Sequence, residues 1–470
     1  MFALPGILAL IVFLYLRPHE VFPFLRAVPC IPILCAAGLL GLLLDWRLRL
    51  ARPWPAPHAV LAIALYLWAL IATALGASAS VVAGVFIVSP ASVGHVAGVF
   101  IISPALYFLV AHSAQSFRAL ESVCVLIVAV VLALSVMGLV QAQGSLQCIR
   151  GEPGPTAGEI LGVPDGRPCD GAKECGPGGE PGYEYVCEKA GLAATTSIGG
   201  SRVRYRGILQ DPNEFAMAIG LGLPLALTLW ARRRSLASTL IVAATVGLGV
   251  TCIIFTASRT GQMVILAVAA AYFAVRFGWK GIALGLTLAA PALILGGRST
   301  GEASASSQER LEAWAVGLRL WRESPLWGVG QGQFPEYHYI TAHNSFVLAA
   351  AEMGTVGLLL FVGLYYLSFK VVLTGMRRYR QVPEAAVAYL WGRGLLAALC
   401  GMVAGTFFLS LTYHPVIWLF FGLTGAYALA VRKHDPQWSL RLGRRDFLAV
   451  LGISAGLIVG LQVYTGLKGF

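Results

Sequence analysis

Residues 119–142 read ALESVCVLIVAVVLALSVMGLVQA, with Glu121 the one charged side chain among them. About 20 such residues cross the ~30 Å of bilayer hydrocarbon, so the stretch reads as a transmembrane helix. Outward from it, apolar segments recur near 3–16, 28–44, 57–76, 96–112, 214–231, 236–256, 262–275, 281–296, 354–375, 394–411, 415–431 and 447–463. The expected fold is all-α, a polytopic transmembrane bundle of about 12–13 helices. Composition agrees: the 470 residues are 57% hydrophobic and only 12% charged. No water-soluble domain of that length could hide so much apolar surface in a core, so the bilayer is the solvent and a cleavable signal peptide is unnecessary.

The formal net charge of +12 raises nucleic acid as a partner. The arginines, however, cluster beside apolar segments, as topology determinants do, and no nucleic acid is expected. Arg47, Arg49 and Arg52 follow the second segment, Arg232 to Arg234 the sixth, Arg377, Arg378 and Arg380 the tenth, and Arg432, Lys433 and Arg441 the twelfth. The positive-inside rule makes these connections and the N-terminus cytoplasmic. Five regions follow: N-terminal helices 1–142, a periplasmic loop 143–212, central helices 213–296, a periplasmic loop 297–353 with an amphipathic helix, and C-terminal helices 354–470.

The first loop holds Cys148, Cys169, Cys175 and Cys187, four of the nine cysteines, in a Gly/Pro-rich stretch too poor in apolar residues to make a core. Two disulfides are the expected staple. A zinc site is the competing reading, which neither the spacing nor a nearby histidine favours. Cys30, Cys252 and Cys400 lie in apolar segments and read as packing residues. VAGVFIVSP at 82–90 recurs as VAGVFIISP at 96–104, a duplication with no functional reading. Arg444-Arg445-Asp446-Phe447-Leu448 mimics a twin-arginine signal far from the N-terminus, so its arginines read as cytoplasmic anchors.

Chemistry-capable residues collect at the two loops. Arg202, Arg204 and Arg206 run into Asp211-Pro212-Asn213-Glu214, where Asp211 suits a helix cap. Periplasmic arginines beside a helix start oppose the orientation rule and suit a phosphate, with lipid headgroups as the plainer alternative. Arg259, in Ser258-Arg259-Thr260-Gly261, stands at the periplasmic membrane border, where an arginine is costly unless partnered. In the second loop Ser306 to Glu309 make a capping-box pattern. Arg310 follows, then Leu311, Trp314, Leu318 and Trp321 on one helical face, the pattern of a helix on the membrane surface with the tryptophans as interfacial anchors. Arg319 and Arg322 read as solvated charge. Gly328-Val329-Gly330-Gln331-Gly332 resembles a nucleotide loop only superficially, since no strand precedes it, and reads as a turn-rich connection. The loop closes on Tyr337-His338-Tyr339-Ile340-Thr341-Ala342-His343-Asn344. A helix start disfavours imidazolium, leaving His343 neutral and able to accept a proton, although a lone histidine there is more often structural.

Together these motifs resemble the O-antigen ligase and polymerase superfamily of bacterial envelope glycosyltransferases, which includes exosortase-associated O-glycosylation ligases. The similarity rests on the strip ending in Gly207-Ile208-Leu209-Gln210-Asp211-Pro212-Asn213-Glu214, on Ser258-Arg259, on Arg310 with Trp314, on residues 325–334, and on His343-Asn344 before Glu352-Met353-Gly354, over about residues 195–430. It implies a metal-independent, inverting enzyme without cofactor in a bacterial inner membrane. The donor would be an undecaprenyl-diphosphate-linked glycan, and the acceptor a hydroxyl on lipid A core, growing polysaccharide or protein. His343 falls on the family's loop histidine, Arg259 and Arg310 on its paired arginines; Arg204 and Arg206 assist, and Asp211, Asn213 and Asn344 support. The four-cysteine insertion departs from the commoner pattern, so the acceptor is not carried over. Physical chemistry agrees. A site without nucleotide sugar needs a donor carrying its own leaving group, a base for the acceptor oxygen and cations for the departing diphosphate. Neither long loop has an Asp-x-Asp metal pattern, and Asp165 and Asp170 lie within the cysteine loop. A lipid-linked glycan transporter is the non-enzyme alternative, but its signature is ionisable residues near the bilayer midplane. The orientation is checked by fusing alkaline phosphatase after Ser235, where it should be inactive, and within 150–190, where it should be active.

Overall fold

The computed structural model describes residues 1–82, 90–153, 160–179, 183–295, 300–382 and 386–470. The first copy of the duplicated nonapeptide thus lies largely outside the described residues. The helices are α1 (Ala3–Tyr15), α2 (Pro18–Val21), α3 (Cys30–Arg47), α4 (Ala59–Val82), α5 (Pro90–Ser113), α6 (Phe117–Gln143), α7 (Ala172–Cys175), α8 (Pro212–Arg232), α9 (Leu236–Phe255), α10 (Arg259–Phe277), α11 (Trp279–Leu295), α12 (Thr300–Glu323), α13 (Ser345–Tyr379), α14 (Ala386–Phe408), α15 (Pro415–His434) and α16 (Arg444–Leu467). Every apolar segment of the sequence is occupied by one of them. Among the described residues ten are long and apolar enough to cross a membrane, and Ala3–Tyr15 and Ile101–Ser113 are shorter apolar helices. The protein is an all-α, multi-pass membrane protein.

The chain forms two compact units, residues 1–7, 35–123 and 298–470 in one, residues 8–34 and 124–297 in the other. In the first, α13 is the central helix, packed by α4, α12, α14, α15 and α16. Helix α15 is nearly all buried, and Trp418, Phe421 and Tyr427 fill the interior around it. This unit also shows how a carboxylate survives in an apolar helix: Asp45 of α3 is fully buried and accepts from the backbone N–H of Phe2 at 2.8 Å and Ala3 at 3.1 Å. Those are orphan donors of a helix start, so Asp45 caps α1.

In the second unit α8 packs on α9 and α10, and α10 on α11. Residues 143–212, expected as a loop with four cysteines, contain a sheet of β1 (Leu146–Pro153), β2 (Ile160–Pro168) and β3 (Glu184–Lys189), all antiparallel, in the order β2-β1-β3. Cys148 stands directly opposite Cys187 on neighbouring strands. Disulfides join Cys148 to Cys175 and Cys169 to Cys187, and the four sulfurs, with Leu146 and Tyr185 packed on them, form a small core of their own. Arg167 ties this core together: it pairs with Asp165, donates to the carbonyls of Pro177 at 2.8 Å and Cys175 at 3.2 Å, and lies over the Tyr185 ring at 5.1 Å. Peptide mapping of unreduced, alkylated protein should recover the Cys148–Cys175 and Cys169–Cys187 cross-linked peptides, with none of the four alkylated.

Candidate functional site

In the second unit the site begins with two linked caps. Asp211 caps α8 by accepting from Asn213 N–H at 2.6 Å, with Pro212 in the first helical position. Asn213 Oδ1 accepts from the Ser258 hydroxyl at 2.7 Å, and Ser258 caps α10 by accepting from Gly261 N–H at 2.9 Å. Ala257, with φ 47, takes the left-handed conformation that turns the chain tightly between α9 and α10. These buried polar contacts fix the N-termini of α8 and α10 together and leave Arg259, the first residue of α10, exposed.

The arginine strip divides. Arg204 is partly buried; its Nε donates to the Thr196 carbonyl at 3.1 Å, and Gln141 Oε1 holds its backbone N–H at 2.9 Å. Burial depresses its pKa, while Glu188 and Asp211 act in the opposite direction. This is the environment of a structural arginine. Arg206 donates to the Ala193 carbonyl. The sequence reading missed Arg17, which pairs with Glu20 and lies against Gly207. A Cβ at Gly207 would collide with the guanidinium, and its φ of 60 separately favours glycine. Tyr205 fixes the approach by donating to the Leu16 carbonyl at 2.6 Å. A single arginine after the first apolar segment carries no motif, so only the fold associates it with the strip.

In the first unit α12 and α13 run parallel. Gly317 packs on Val347, and Trp321 Nε1 donates to Thr355 Oγ1 at 3.0 Å. Helix α12 is already formed at Thr300, so Ser306 is not its cap. Trp314 is not a lipid anchor either. Trp314 is buried, edge-on to Phe407 at 5.7 Å and tilted on Tyr464 at 6.3 Å, because α12 packs against α13 and α16.

His343 is half-buried and holds a left-handed backbone, φ 47, where a bulky non-glycine residue is uncommon and marks a functional site more often than chance. Asn344 is buried and caps α13, accepting from Phe346 N–H at 2.9 Å and Val347 N–H at 3.1 Å. Ser345 then pins the helix start, donating to the Leu409 carbonyl at 2.7 Å and accepting from Leu411 N–H at 2.8 Å.

A second constellation lies further along α13. Glu352 is buried and accepts from Phe334 N–H at 3.3 Å. Val329 and Gly330 N–H donate to the carbonyls of Ala351 and Glu352 at 2.9 and 3.0 Å, and the helix is interrupted at Gly354, φ 64. Thr355 N–H beyond the interruption donates to the Pro325 carbonyl at 2.7 Å. Gly328, Gly330 and Gly332 all have positive φ, which explains this glycine-rich run as a backbone clasp on α13. Tyr413 faces Glu352; burial first, then that carboxylate, raise its phenol pKa well above the usual value. Glu352 was legible only as part of a motif, since nothing in the sequence says that its carboxylate turns inward.

Residues 244–362 match the family model described as O-antigen ligase. The matched segment, 119 of the 470 residues, is similar to the O-antigen ligase domain. Comparison with curated proteins found no match. The matched segment contains Arg259, Arg310, His343, Asn344 and Glu352, whereas Arg204, Arg206, Asp211 and Asn213 precede it. Among the described residues the one group of three metal-type donors is Cys148, Cys169 and Cys175, all in disulfides. Asn344→Ala removes the acceptor of two buried helix N–H groups and should cost about 1–2 kcal/mol, read as a lowered thermal midpoint, with Asn344→Asp largely restoring it.

Proposed function

We propose that the protein is an envelope glycan ligase or polymerase that moves a glycan from an undecaprenyl-diphosphate carrier to an acceptor hydroxyl on the periplasmic side of the bacterial inner membrane. One observation carries the reading: the O-antigen ligase match spans Arg259, Arg310 and His343 in a multi-pass membrane protein. His343 is assigned as the general base. It takes the acceptor hydroxyl's proton as that oxygen attacks the anomeric carbon, and the carbon–oxygen bond to the diphosphate breaks with the electron pair leaving on the phosphate. Displacement from the opposite face inverts the anomeric centre. Arg259 and Arg310 are assigned to the leaving diphosphate, where charge-assisted hydrogen bonds replace a divalent cation. Arg206 and Arg17 are secondary candidates on the same side of the chemistry; Arg204, held by Thr196, is a positioning residue.

His343→Ala should lower single-turnover transfer by about 10²- to 10⁴-fold while leaving folding and undecaprenyl diphosphate binding unchanged. Arg259→Ala and Arg310→Ala each remove a charge-assisted contact worth ~1.5–3 kcal/mol, so donor binding should weaken along with rate. Arg319→Ala should be silent, because its pair with Glu323 is 3.9 Å long and mostly exposed. Detergent-solubilised protein, lipid-linked glycan and acceptor in EDTA make the assay. Near wild-type transfer by folded His343→Ala would overturn the base assignment, and a strict need for a divalent cation would overturn the role of the arginines.

A further inference from the structure

The chemistry above leaves Tyr337-His338-Tyr339 unused. Tyr339 is 71% exposed and Tyr337 47%, a large aromatic display four residues from His343. The display is stiff. Tyr339 stacks on the His338 ring at 4.6 Å with an interplanar angle of 27°. His338 is held in turn by Ile340 N–H, which donates to its Nδ1 at 3.2 Å, and by the buried Phe334 ring at 6.5 Å. One face of Tyr339 is therefore backed and the other is open. Glu309 and Glu312, both on α12, lie within electrostatic reach of the Tyr339 hydroxyl. Glu309 is exposed there and Glu312 half-buried. Partial desolvation and then these two carboxylates raise the pKa of the Tyr339 phenol, as expected for acidic groups beside its hydroxyl.

An open aromatic face beside carboxylates suits a sugar ring. The C–H face of a pyranose carries partial positive charge and packs on the negative face of an arene, and its hydroxyls donate to carboxylate oxygens. We propose that Tyr339, backed by His338, forms with Glu309 and Glu312 a subsite for one pyranose ring of the glycan. The assignment of that ring to a transferred glycan rests on the ligase reading; the subsite itself does not.

The test is saturation-transfer difference NMR on the full chain in detergent, with glycan released by mild acid from the native host's membrane lipids as probe. Wild-type protein should saturate the ring C–H protons of one sugar. Tyr339→Ala should lose that saturation and bind about tenfold more weakly, while Tyr339→Phe, which keeps the stack, should stay within about twofold. The double substitution Glu309→Gln and Glu312→Gln should weaken binding about fivefold and keep the ring saturation. Equal binding by wild type and Tyr339→Ala, or no saturation of wild type, overturns the subsite. Transfer is assayed on the same preparations. Tyr339-dependent saturation without transfer by any preparation supports the subsite and sinks the ligase reading, whereas transfer with saturation indifferent to Tyr339 does the reverse.

Discussion

Hydrocarbon offers no hydrogen bonds, so each backbone amide freed by a helix start or break must find its partner within the protein. Helix α13 obeys this constraint at both of its exceptional points. Asn344 and Ser345 satisfy its start, and the 325–334 segment satisfies its interruption at Gly354 through Val329, Gly330 and Thr355. Because the same segment leads into Tyr339 and His343, the bonds that make the broken helix tolerable also hold the loop of the proposed base. Fold stability and site geometry are one set of contacts here, and an irregular backbone persists only where it is over-determined.

Helix capping does comparable work in the other unit. Asp211, Asn213 and Ser258 make a relay in which one buried hydroxyl serves both its own helix and a neighbour's asparagine. Arg259 is thereby mounted on the first turn of α10. A guanidinium there faces the positive end of the helix dipole, an arrangement that is unfavourable alone and favourable once an anion sits between them. Aspartate or glutamate at such a start would complement the helix dipole, and arginine does not.

The helices were legible because apolar length is a global signal: every segment long enough to cross hydrocarbon has its helix. The Asp211 cap was legible too, since Asp-Pro before an apolar run has one common meaning. What failed is instructive. The amphipathic face of α12 was taken as lipid-facing, but a stripe of Leu and Trp has the same sequence signature whether it meets lipid or another apolar helix. Trp314 chose Phe407 and Tyr464. The cysteine loop's sheet was hidden by the glycines and prolines between and within its strands. Arg17 was invisible for a third reason: the glycine it lies against, Gly207, is far away along the chain.

The arginines also differ in how their charge is answered. Arg167 meets a carboxylate in Asp165, and its charge is neutralised within the disulfide-bonded core. Arg206 instead donates to the Ala193 carbonyl, which satisfies a hydrogen bond without cancelling charge, whereas Arg204 donates to the Thr196 carbonyl with the carboxylates of Glu188 and Asp211 acting on it. A carbonyl-held guanidinium is oriented yet still cationic, so its field remains available to a phosphate. Arg17, outside the strip in sequence, is answered by the carboxylate of Glu20 three residues on. Within the strip's surroundings, then, Arg17 is offset by Glu20 and Arg204 is committed to holding the loop's shape.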